Sequence, residues 1–300
     1  MTTVAVLINP AAGGGRGATV ARRALARLGS RGINVREFAG RDAADAARLA
    51  REAAAHADAL AVIGGDGLVG IALQVLAGTE VPLGIVPAGT GNDHARAYGL
   101  PRHNPDQAAD VIADGHTRTV DVGRVQVAGG AATYFGTVLA AGFDSLVSER
   151  ANRMRWPRGQ ARYNLAVLAE LANLRPLPFR VVLDDERFTQ DVVLTAVGNT
   201  STYGGGLRIC PEADPTDGLL DVTVIRAMPR RRLVRLFPTL YAGTHLRYGE
   251  VEMYRTERVR IDSPGIDACA DGERVGPLPV EVRAVPQALR VLSPVARPRR

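Results

Sequence analysis

Three glycine-rich segments, each directly after a short apolar run, constrain the fold of this chain more than any other feature. The apolar runs are Val4–Ile8, Ala59–Ile63 and Leu83–Val86, and their length is typical of buried strands. Between the first two runs, Ala18–Leu28 carries apolar residues at helical spacing. Strands that alternate with helices predict a doubly wound α/β domain with a parallel sheet, in which ligands bind beyond the carboxyl ends of the strands. The three glycine-rich segments follow three such ends.

Further segments of the first third fit the same alternation. Ile33–Phe38 is predicted as a strand, and Gly32 ends the helix before it. Asp42 is a residue type preferred at a helix N-cap, and it predicts a helix that runs through Ala55. Leu68–Leu76 is predicted as a helix that follows the second glycine-rich segment.

The second half of the chain has a different pattern, with short and often β-branched runs separated by glycine, proline and aspartate. This pattern predicts a mainly antiparallel β-sandwich. The predicted strands are Thr119–Val127, Thr133–Leu139, Phe179–Leu183, Val192–Val197, Leu220–Ile225, Val259–Ile261, Val280–Ala284 and Leu289–Leu292. Two helices are predicted to interrupt them, Gln160–Leu174 and Arg230–Tyr241. The second has Pro229 at its first turn and an apolar stripe of Leu233, Leu236, Phe237 and Leu240.

This change of pattern predicts an N-terminal α/β domain over residues 1–123 and a β-rich domain over residues 124–300. A return of roughly the last 15 residues to the N-terminal domain is left open. The final segment, Arg297–Arg300, is expected to be frayed and solvated.

The basic charge of the chain comes from arginine alone, because its 37 lysine-plus-arginine positions contain no lysine. That excludes a P-loop lysine, the strand lysine of protein kinases and a pyridoxal Schiff base. A net charge of +6 favours anionic partners such as phosphates or an anionic membrane face. Aromatic residues are few and do not alternate with the arginines, so nucleic acid is not expected as a partner.

The sequence also gives expectations about location. The first strand begins without a basic leader region, and no apolar run reaches the roughly 18 residues of a membrane span. Cys210 and Cys269 form no CxxC motif and are expected to be structural. A cytoplasmic protein is therefore expected.

The strongest candidate site is Gly64-Gly65-Asp66-Gly67, directly after an apolar strand. Glycines let the backbone turn sharply and bring its N–H groups to phosphate oxygens, and the following helix adds its positive end. Asp66 would repel a phosphate, so its presence favours a Mg²⁺ ion between the two. A tight strand–helix turn with a capping aspartate is the alternative.

The other two glycine-rich segments carry polar side chains as well. Gly89-Thr90-Gly91-Asn92-Asp93 again places a hydroxyl and a carboxylate after a strand, with an ordinary N-cap as the alternative. Asn9–Gly15 offers a side-chain amide and a loop backbone to an adenosine or a phosphate, with a flexible turn as the alternative. The occurrence of all three favours a nucleotide site over three unrelated turns.

These motifs resemble those of the diacylglycerol kinase and sphingosine kinase superfamily, whose wider set includes NAD kinase and phosphofructokinase. In the second half, Cys210–Asp221 is similar to the segment that binds a structural Mg²⁺ in bacterial diacylglycerol kinases, and Asp271-Gly272-Glu273 to their catalytic Asp-Gly-Glu element. Arg153–Pro157 and Tyr203–Leu207 resemble actinobacterial, mycobacterial-type members in particular. The resemblance extends from Val4 to Leu292.

The resemblance implies a lipid kinase that uses ATP and Mg²⁺ to phosphorylate the free hydroxyl of diacylglycerol, giving phosphatidate for phospholipid metabolism, with the active site in the cleft between the domains. It implies that Asp66 and Asp93 act through the catalytic Mg²⁺. The nucleotide contacts that it implies are Asn9, Pro10, Ala11, Ala12, Gly13, Gly64, Gly65, Asp66, Gly67, Leu68, Thr90 and Asn92.

The resemblance further implies that the Asp217 carboxylate holds the structural Mg²⁺ with the main-chain carbonyls of Asp214 and Leu219. It implies that Glu273 is the base that takes the proton of the lipid hydroxyl, supported by Asp271. Residues two apart on an extended segment face the same side, so we expect these last two carboxylates to share one metal or one proton. A surface turn with solvated charges is the alternative.

Two positions depart from the family pattern. The family usually has threonine or serine where this chain has Leu68, and asparagine where it has Gly70. A lost hydroxyl removes one phosphate contact, worth about 1–3 kcal/mol if nothing replaces it. Three functions therefore stay open: a diacylglycerol kinase, a kinase on another acceptor such as a sphingoid or ceramide-type lipid or NAD, and a regulator that binds nucleotide and lipid without catalysis.

The expected partner is a lipid substrate at the membrane surface. Arg230–Phe237 is a basic amphipathic stretch suited to anionic phospholipid, and a helix packed on the sandwich with solvated arginines is the alternative. A second basic group contains the only tryptophan, and its members are Arg153, Arg155, Trp156, Arg158 and Arg162. We expect reversible, peripheral binding at the inner face of the cell membrane, and the resemblance also suggests a homodimer.

Overall fold

A computed structural model describes residues 3–143, 147, 150, 153–154, 156, 165–166, 176–184 and 186–295. The chain forms two compact units. The first contains the residues up to Asp121 together with those from Gln287 onward, and the second contains Val122–Pro286.

The first unit is built around a parallel sheet. Its strands are β1 (Thr3–Ile8), β2 (Asn34–Phe38), β3 (Ala59–Gly64) and β4 (Leu83–Pro87), in the order β2-β1-β3-β4. Its helices are α1 (Ala12–Gly15), α2 (Gly17–Ser30), α3 (Ala43–Ala54), α4 (Asp66–Leu76), α5 (Asp93–Ala97) and α6 (Pro105–Asp114). Every residue of β3 and β4 is buried, as expected for central strands of a parallel sheet covered on both faces. The predicted α/β alternation is confirmed.

Local sequence explains where the helices begin. Asp42 accepts a hydrogen bond from Asp45 N at 2.8 Å, so the predicted N-cap of α3 is confirmed. Helix α6 was not predicted, although its signals are in the sequence. The side chain of Asn104 caps it, Pro105 is its first residue, and Gly115 ends it in the left-handed conformation.

Helix α4 begins two residues earlier than the sequence predicted. Gly65 is the extended N-cap residue, so Asp66 is the first helical residue and Leu68 lies inside the first turn. The side chain of Asp66 therefore projects from the positive end of the helix, where a negative charge is favourable.

The second unit is an antiparallel β structure. Its strands are β5 (Thr117–Val127, from Val122 onward), β6 (Ala132–Phe135), β7 (Val138–Gly142), β8 (Leu177–Val182), β9 (Arg187–Gly198), β10 (Leu220–Arg226), β11 (Val251–Thr256), β12 (Arg258–Asp262), β13 (Asp267–Ala270), β14 (Glu273–Pro277) and β15 (Val280–Leu292, up to Pro286). The order is β14-β13-β7-β9-β8-β12-β15, and β10 pairs with β9 and β11. Strand β9 pairs with β8 through its first half and with β7 and β10 through its second half. The predicted antiparallel β-sandwich is confirmed.

Two strand predictions need correction. The predicted run Thr133–Leu139 is split into β6 and β7 by Gly136 and Thr137, whose N–H groups hydrogen-bond to a side chain instead of to a strand. The runs Val280–Ala284 and Leu289–Leu292 belong to the one strand β15, which continues through Pro286 with Gln287 at φ 51°.

Helix α7 (Arg230–Ala242) confirms the predicted second helix and its apolar stripe. Leu233, Leu236 and Leu240 are buried, and Phe237 packs against the same core cluster. The predicted helix Gln160–Leu174 and the tail Arg297–Arg300 lie outside the described residues, apart from residues 165 and 166. Among the helices within the described ranges, none combines the length and the apolar character that a membrane crossing requires.

Candidate active site

The three glycine-rich segments of the first unit meet at the carboxyl edge of the sheet. Ala88 N donates to Gly64 O at 2.8 Å. A Cβ added to Gly89 would lie 2.5 Å from the Gly65 Cα, and one added to Gly13 would lie 2.3 Å from Ala88 O. These contacts leave no room for side chains. The predicted convergence of the three loops is therefore observed, with bare backbone at the points of closest approach.

The first loop is held by its own asparagine. Asn9 Oδ1 accepts a hydrogen bond from Ala11 N at 3.1 Å, and Asn9 N donates to Ile63 O at 3.0 Å. Asn9, Pro10 and Ala11 are exposed, whereas Ala12 is buried in the core of the unit. The exposed part of this loop therefore offers backbone and the amide of Asn9 to a ligand.

Two carboxylates stand at the first positions of two helices. Asp66 begins α4, and its Oδ1 accepts hydrogen bonds from His94 N and His94 Nδ1, each at 3.1 Å. Asp93 begins α5 and forms an ion pair with Arg96 one turn later. Because His94 follows Asp93 directly, the structure brings both predicted carboxylates to the same part of the glycine-rich edge.

Asn92 and Thr90 differ in their surroundings. Asn92 has φ 51° and binds the loop backbone, since its Oδ1 accepts from Gly89 N at 2.9 Å and its Nδ2 donates to Gly89 O at 3.0 Å. Its side chain therefore shapes the loop. Thr90 is exposed at the tip of the same loop, where its hydroxyl is accessible.

Leu68 is directed into the unit. Its side chain is 8% exposed and packs against Gly64, where an added Cβ would lie 2.8 Å from Leu68 Cδ2. A contact from Leu68 to a nucleotide, which the resemblance implied, would therefore come from its backbone. Gly67 beside it is exposed.

In the second unit, Asp271 lies in a tight hairpin turn. Asp271 and Gly272 connect β13 to β14 with φ values of 51° and 85°, and Ala270 pairs with Glu273. Two central residues with positive φ are typical of a type I′ turn. The expectation that Asp271 and Glu273 share one side of an extended segment is therefore wrong, because the chain reverses direction between them.

The carboxylate of Asp271 is held by three donors. Its Oδ2 accepts from Gly136 N at 2.8 Å, and its Oδ1 accepts from Thr137 N at 2.8 Å and Thr137 Oγ1 at 2.5 Å. Buried Asn199 supports the Gly136–Thr137 segment that supplies these donors, since its Nδ2 donates to Gly136 O at 3.0 Å. The alternative of a turn with solvated charges is therefore wrong for Asp271.

Glu273 has a different environment from Asp271. It is exposed at the first position of β14. Its side chain makes no hydrogen bond or ion pair with any residue in the part of the chain that the structure describes. A carboxylate in this situation is free to accept a proton from a ligand.

The segment similar to a structural metal site forms compact turns. Thr216 N and Oγ1 donate to Asp214 Oδ1 at 3.0 and 2.7 Å. Asp217 Oδ1 accepts from Leu219 N at 2.9 Å, and its Oδ2 forms an ion pair with Arg255. Both oxygens of the Asp217 carboxylate are therefore engaged within the chain.

Asp221 adds a buried acid beside this segment. Its side chain is 3% exposed, and its Oδ1 lies 3.4 Å from Arg255 Nε. Burial raises the pKa of Asp221 to about 6, with Asp217 and Glu212 adding to the rise and Arg255 opposing it. The segment is thus locally rich in negative charge. Within the described residues, no three or more His, Cys, Asp and Glu side chains come together as a metal cluster.

Comparison with known proteins identifies the family. Residues 3–125 match the model of the diacylglycerol kinase catalytic domain, and residues 136–293 match that of the YegS C-terminal NAD kinase beta sandwich-like domain. A diacylglycerol kinase of Mycobacterium tuberculosis (strain ATCC 25618 / H37Rv) is 55% identical over 293 residues, which are 97% of this chain and 95% of that protein. The chain belongs to the diacylglycerol kinase family. The resemblance read from the motifs is confirmed.

More distant members of the family agree with this assignment. A diacylglycerol kinase of Bacillus subtilis (strain 168) is 28% identical over 84% of this chain and 83% of its own length. The crystal structure of a diacylglycerol kinase from Bacillus anthracis str. Sterne superposes with a TM-score of 0.74 at 20% identity, covering 98% of this chain and 97% of that one. This last likeness concerns the fold alone.

Several residues beside the candidate site were not found from the sequence. They are His94 and Arg96 beside the aspartates of the first unit, and Gly136, Thr137 and Asn199 beside Asp271. His94 and Arg96 lie close to Asp93 in the sequence, which could have drawn attention to them. Thr137 is 134 residues from Asp271, and no local pattern in the sequence relates the two.

Proposed function

We propose that this member of the diacylglycerol kinase family transfers the γ-phosphoryl group of ATP to the free hydroxyl of diacylglycerol and so forms phosphatidate. The observation that carries the proposal is the meeting of Asp66 and Asp93 with bare glycine backbone at one edge of the first unit. The names of the relatives support diacylglycerol as the acceptor.

The glycine-rich edge of the first unit fits the phosphates of a nucleotide. Gly13 and Gly14 have φ values of 60° and 73°, which favour glycine, and α4 begins at Asp66, directly after Gly65 at the same edge. Backbone donors and a helix N-terminus together favour a phosphate group. The residues that we propose as nucleotide contacts are Asn9, Pro10, Ala11, Ala12, Gly13, Gly64, Gly65, Asp66, Gly67, Leu68, Thr90 and Asn92.

The two aspartates of this edge fit a Mg²⁺ ion carried by the nucleotide. Magnesium in such sites is bound by one or two carboxylates together with substrate phosphates, and Asp66 and Asp93 supply two. When bound, the ion would neutralise negative charge on the transferring group. Asp93 is paired with Arg96, so its carboxylate is already positioned within its own helix.

In the second unit, we propose that Glu273 accepts the proton of the lipid hydroxyl. It is exposed and its carboxylate is not engaged by the described residues, as an acceptor for a substrate proton must be. Asp271 is tied down by three donors and is suited to fixing the turn from which Glu273 projects.

A second Mg²⁺ site is proposed at Asp217 with the carbonyls of Asp214 and Leu219. The surplus of negative charge around Asp221 supports a cation here. Arg255 already contacts Asp217, so the residues fit the ion only if that guanidinium moves away. Removing Arg255 as Arg255→Gln should therefore increase the thermal stabilisation by Mg²⁺. An unchanged response to Mg²⁺ would mean that Arg255 alone neutralises the segment.

We propose that helix α7 attaches the protein reversibly to anionic phospholipid. Arg230, Arg231 and Arg235 are exposed and make no ion pair with other described residues, whereas Arg232 pairs with Glu250 at 2.8 Å. Val234 and Tyr241 on the same helix are 55% and 45% exposed. An exposed apolar stripe between arginines is suited to a membrane interface.

The second basic group of the sequence is only partly described. Trp156 is 79% exposed and Arg153 is exposed, while Arg155, Arg158 and Arg162 lie outside the described residues. Trp156 is a residue type favoured at membrane interfaces, so we propose that it adds to the attachment. Co-sedimentation with vesicles that does not depend on their content of phosphatidylglycerol would end the proposal of attachment through charge.

The activity is tested by offering the purified protein ATP, Mg²⁺ and a panel of acceptors: dioleoylglycerol, a ceramide, sphingosine and NAD. Mass spectrometry then identifies which acceptor gains a phosphate. Phosphatidate as the main product is the expected result. Phosphorylation of NAD or a sphingoid base alone would contradict the acceptor, and nucleotide binding without any product would favour a regulator.

A further inference from the structure

His94 directs two hydrogen-bond donors to a single oxygen of Asp66. Its main-chain N–H and its Nδ1 each lie 3.1 Å from Asp66 Oδ1. An ionised carboxylate only accepts hydrogen bonds, so Nδ1 must carry a proton in this contact. His94 is 1% exposed, and its ring is therefore shielded from solvent.

The ring of His94 is fixed from a second direction. Tyr98, one turn further along the chain, is 2% exposed, and its ring centroid lies 6.3 Å from that of His94 with the planes tilted by 58°. The guanidinium of Arg118 lies over the Tyr98 ring, 5.7 Å from its centroid. Close packing of this kind limits the rotamers open to the histidine.

We propose that His94 is a positioning residue that sets the orientation of the Asp66 carboxylate toward the Mg²⁺–nucleotide complex. The proposal rests on the function proposed above, because that function gives Asp66 its role. Carboxylates that bind a metal are oriented by hydrogen bonds from neighbouring groups, and loss of such a neighbour typically costs about 10- to 100-fold in metal affinity or activity. His94 supplies two such bonds to Asp66, one of them through a side chain that can be replaced.

Two substitutions separate the hydrogen bond from the packing. His94→Phe keeps a ring beside Tyr98 and removes the side-chain donor. His94→Asn loses the ring and keeps an N–H at the same distance along the side chain as Nδ1. His103→Phe, at an exposed histidine of the same unit, controls for the general effect of this exchange.

The expected result is a split between the two variants. His94→Phe should lower kcat and raise the Mg²⁺ concentration for half-maximal activity by about 10- to 100-fold, with an unchanged KM for the lipid. His94→Asn should recover most of both losses, and His103→Phe should match the wild type. Equal losses in His94→Phe and His94→Asn, or no loss in His94→Phe, would overturn the proposal.

A second readout does not depend on turnover. Calorimetry should show weaker binding of Mg²⁺–ATP to His94→Phe than to His94→Asn. A wild type that binds Mg²⁺–ATP but phosphorylates no lipid would contradict the proposed function alone, and the binding measurements would still decide the role of His94. Equal binding of Mg²⁺–ATP to wild type and His94→Phe would overturn the role of His94 alone.

Discussion

Replacing Thr137 by valine removes one hydrogen bond from Asp271 while keeping the shape of the side chain. Thr137 is 1% exposed, and its Oγ1 lies 2.5 Å from Asp271 Oδ1. The two backbone donors, Gly136 N and Thr137 N, would remain at 2.8 Å. The substitution therefore tests one of the three bonds that hold the carboxylate.

The magnitude follows from the charge on the acceptor. A hydrogen bond to a charged group contributes about 1.5–3 kcal/mol to stability. For a domain of this size each kcal/mol corresponds to roughly 2–4 °C, so Thr137→Val should lower Tm by about 3–12 °C. If the same bond is needed in the transition state, kcat should fall by about 10- to 160-fold, since each 1.36 kcal/mol is a factor of ten.

Thermal unfolding and phosphoryl transfer are measured together for Thr137→Val and Thr137→Ser. Serine keeps the hydroxyl and loses one buried methyl group, so it should retain kcat despite a stability loss of about 1 kcal/mol. In an Asp271→Asn background, which suits the positive φ of that turn, the valine should have a much smaller further effect on kcat. Valine and serine variants with equal kcat would refute the reasoning.

Three further predictions follow from single positions. Gly13→Ala should weaken ATP binding more than Gly14→Ala. Both residues have positive φ, but only a Cβ at Gly13 would contact Ala88 O, at 2.3 Å. Equal losses of affinity in calorimetry would contradict this. Burial lowers the pKa of His245 below 6.5, so the free energy of unfolding should fall as the pH drops below about 6.5, by up to about 1.4 kcal/mol per pH unit. In urea unfolding, the non-titrating variant His245→Gln should show a smaller change of stability over this pH range. Tyr241→Ser, at a side chain that is 45% exposed, should reduce binding to anionic vesicles with little change in Tm, and unchanged binding would exclude this residue from the membrane contact.

Much of the first unit could be predicted because its signals are local. Strand β3 is a continuous apolar run followed at once by Gly64 and Gly65, and the capping role of Asp42 depends on a residue only three positions away. The glycines of the three loops indicated sharp turns, and Gly13 and Gly14 do adopt the positive φ values that such turns use. The predicted start of α4 was two residues late, because Gly65 and Gly67 are both compatible with a helix terminus.

The second unit was less predictable at its candidate site. Asp271-Gly272 is compatible with an extended segment and with a type I′ turn, and only the pairing of Ala270 with Glu273 decides between them. The break at Gly136 and Thr137 serves the carboxylate of Asp271, more than 130 residues away in sequence. Contacts of that range depend on strand register, which short patterns do not determine. The contact of His94 with Asp66 likewise joins residues 28 positions apart, and no short pattern predicts it.

The most direct test of the central claim is transfer of labelled γ-phosphate from ATP to dioleoylglycerol in anionic mixed micelles with Mg²⁺, for the wild type, Asp66→Ala and Glu273→Ala. Asp66 is half-buried and Glu273 is exposed, so both variants should fold, and circular dichroism verifies this. We expect labelled phosphatidate from the wild type and a loss of label in both variants. Equal label from all three proteins would contradict the proposed site, and no label from a wild type that binds ATP would contradict the proposed reaction.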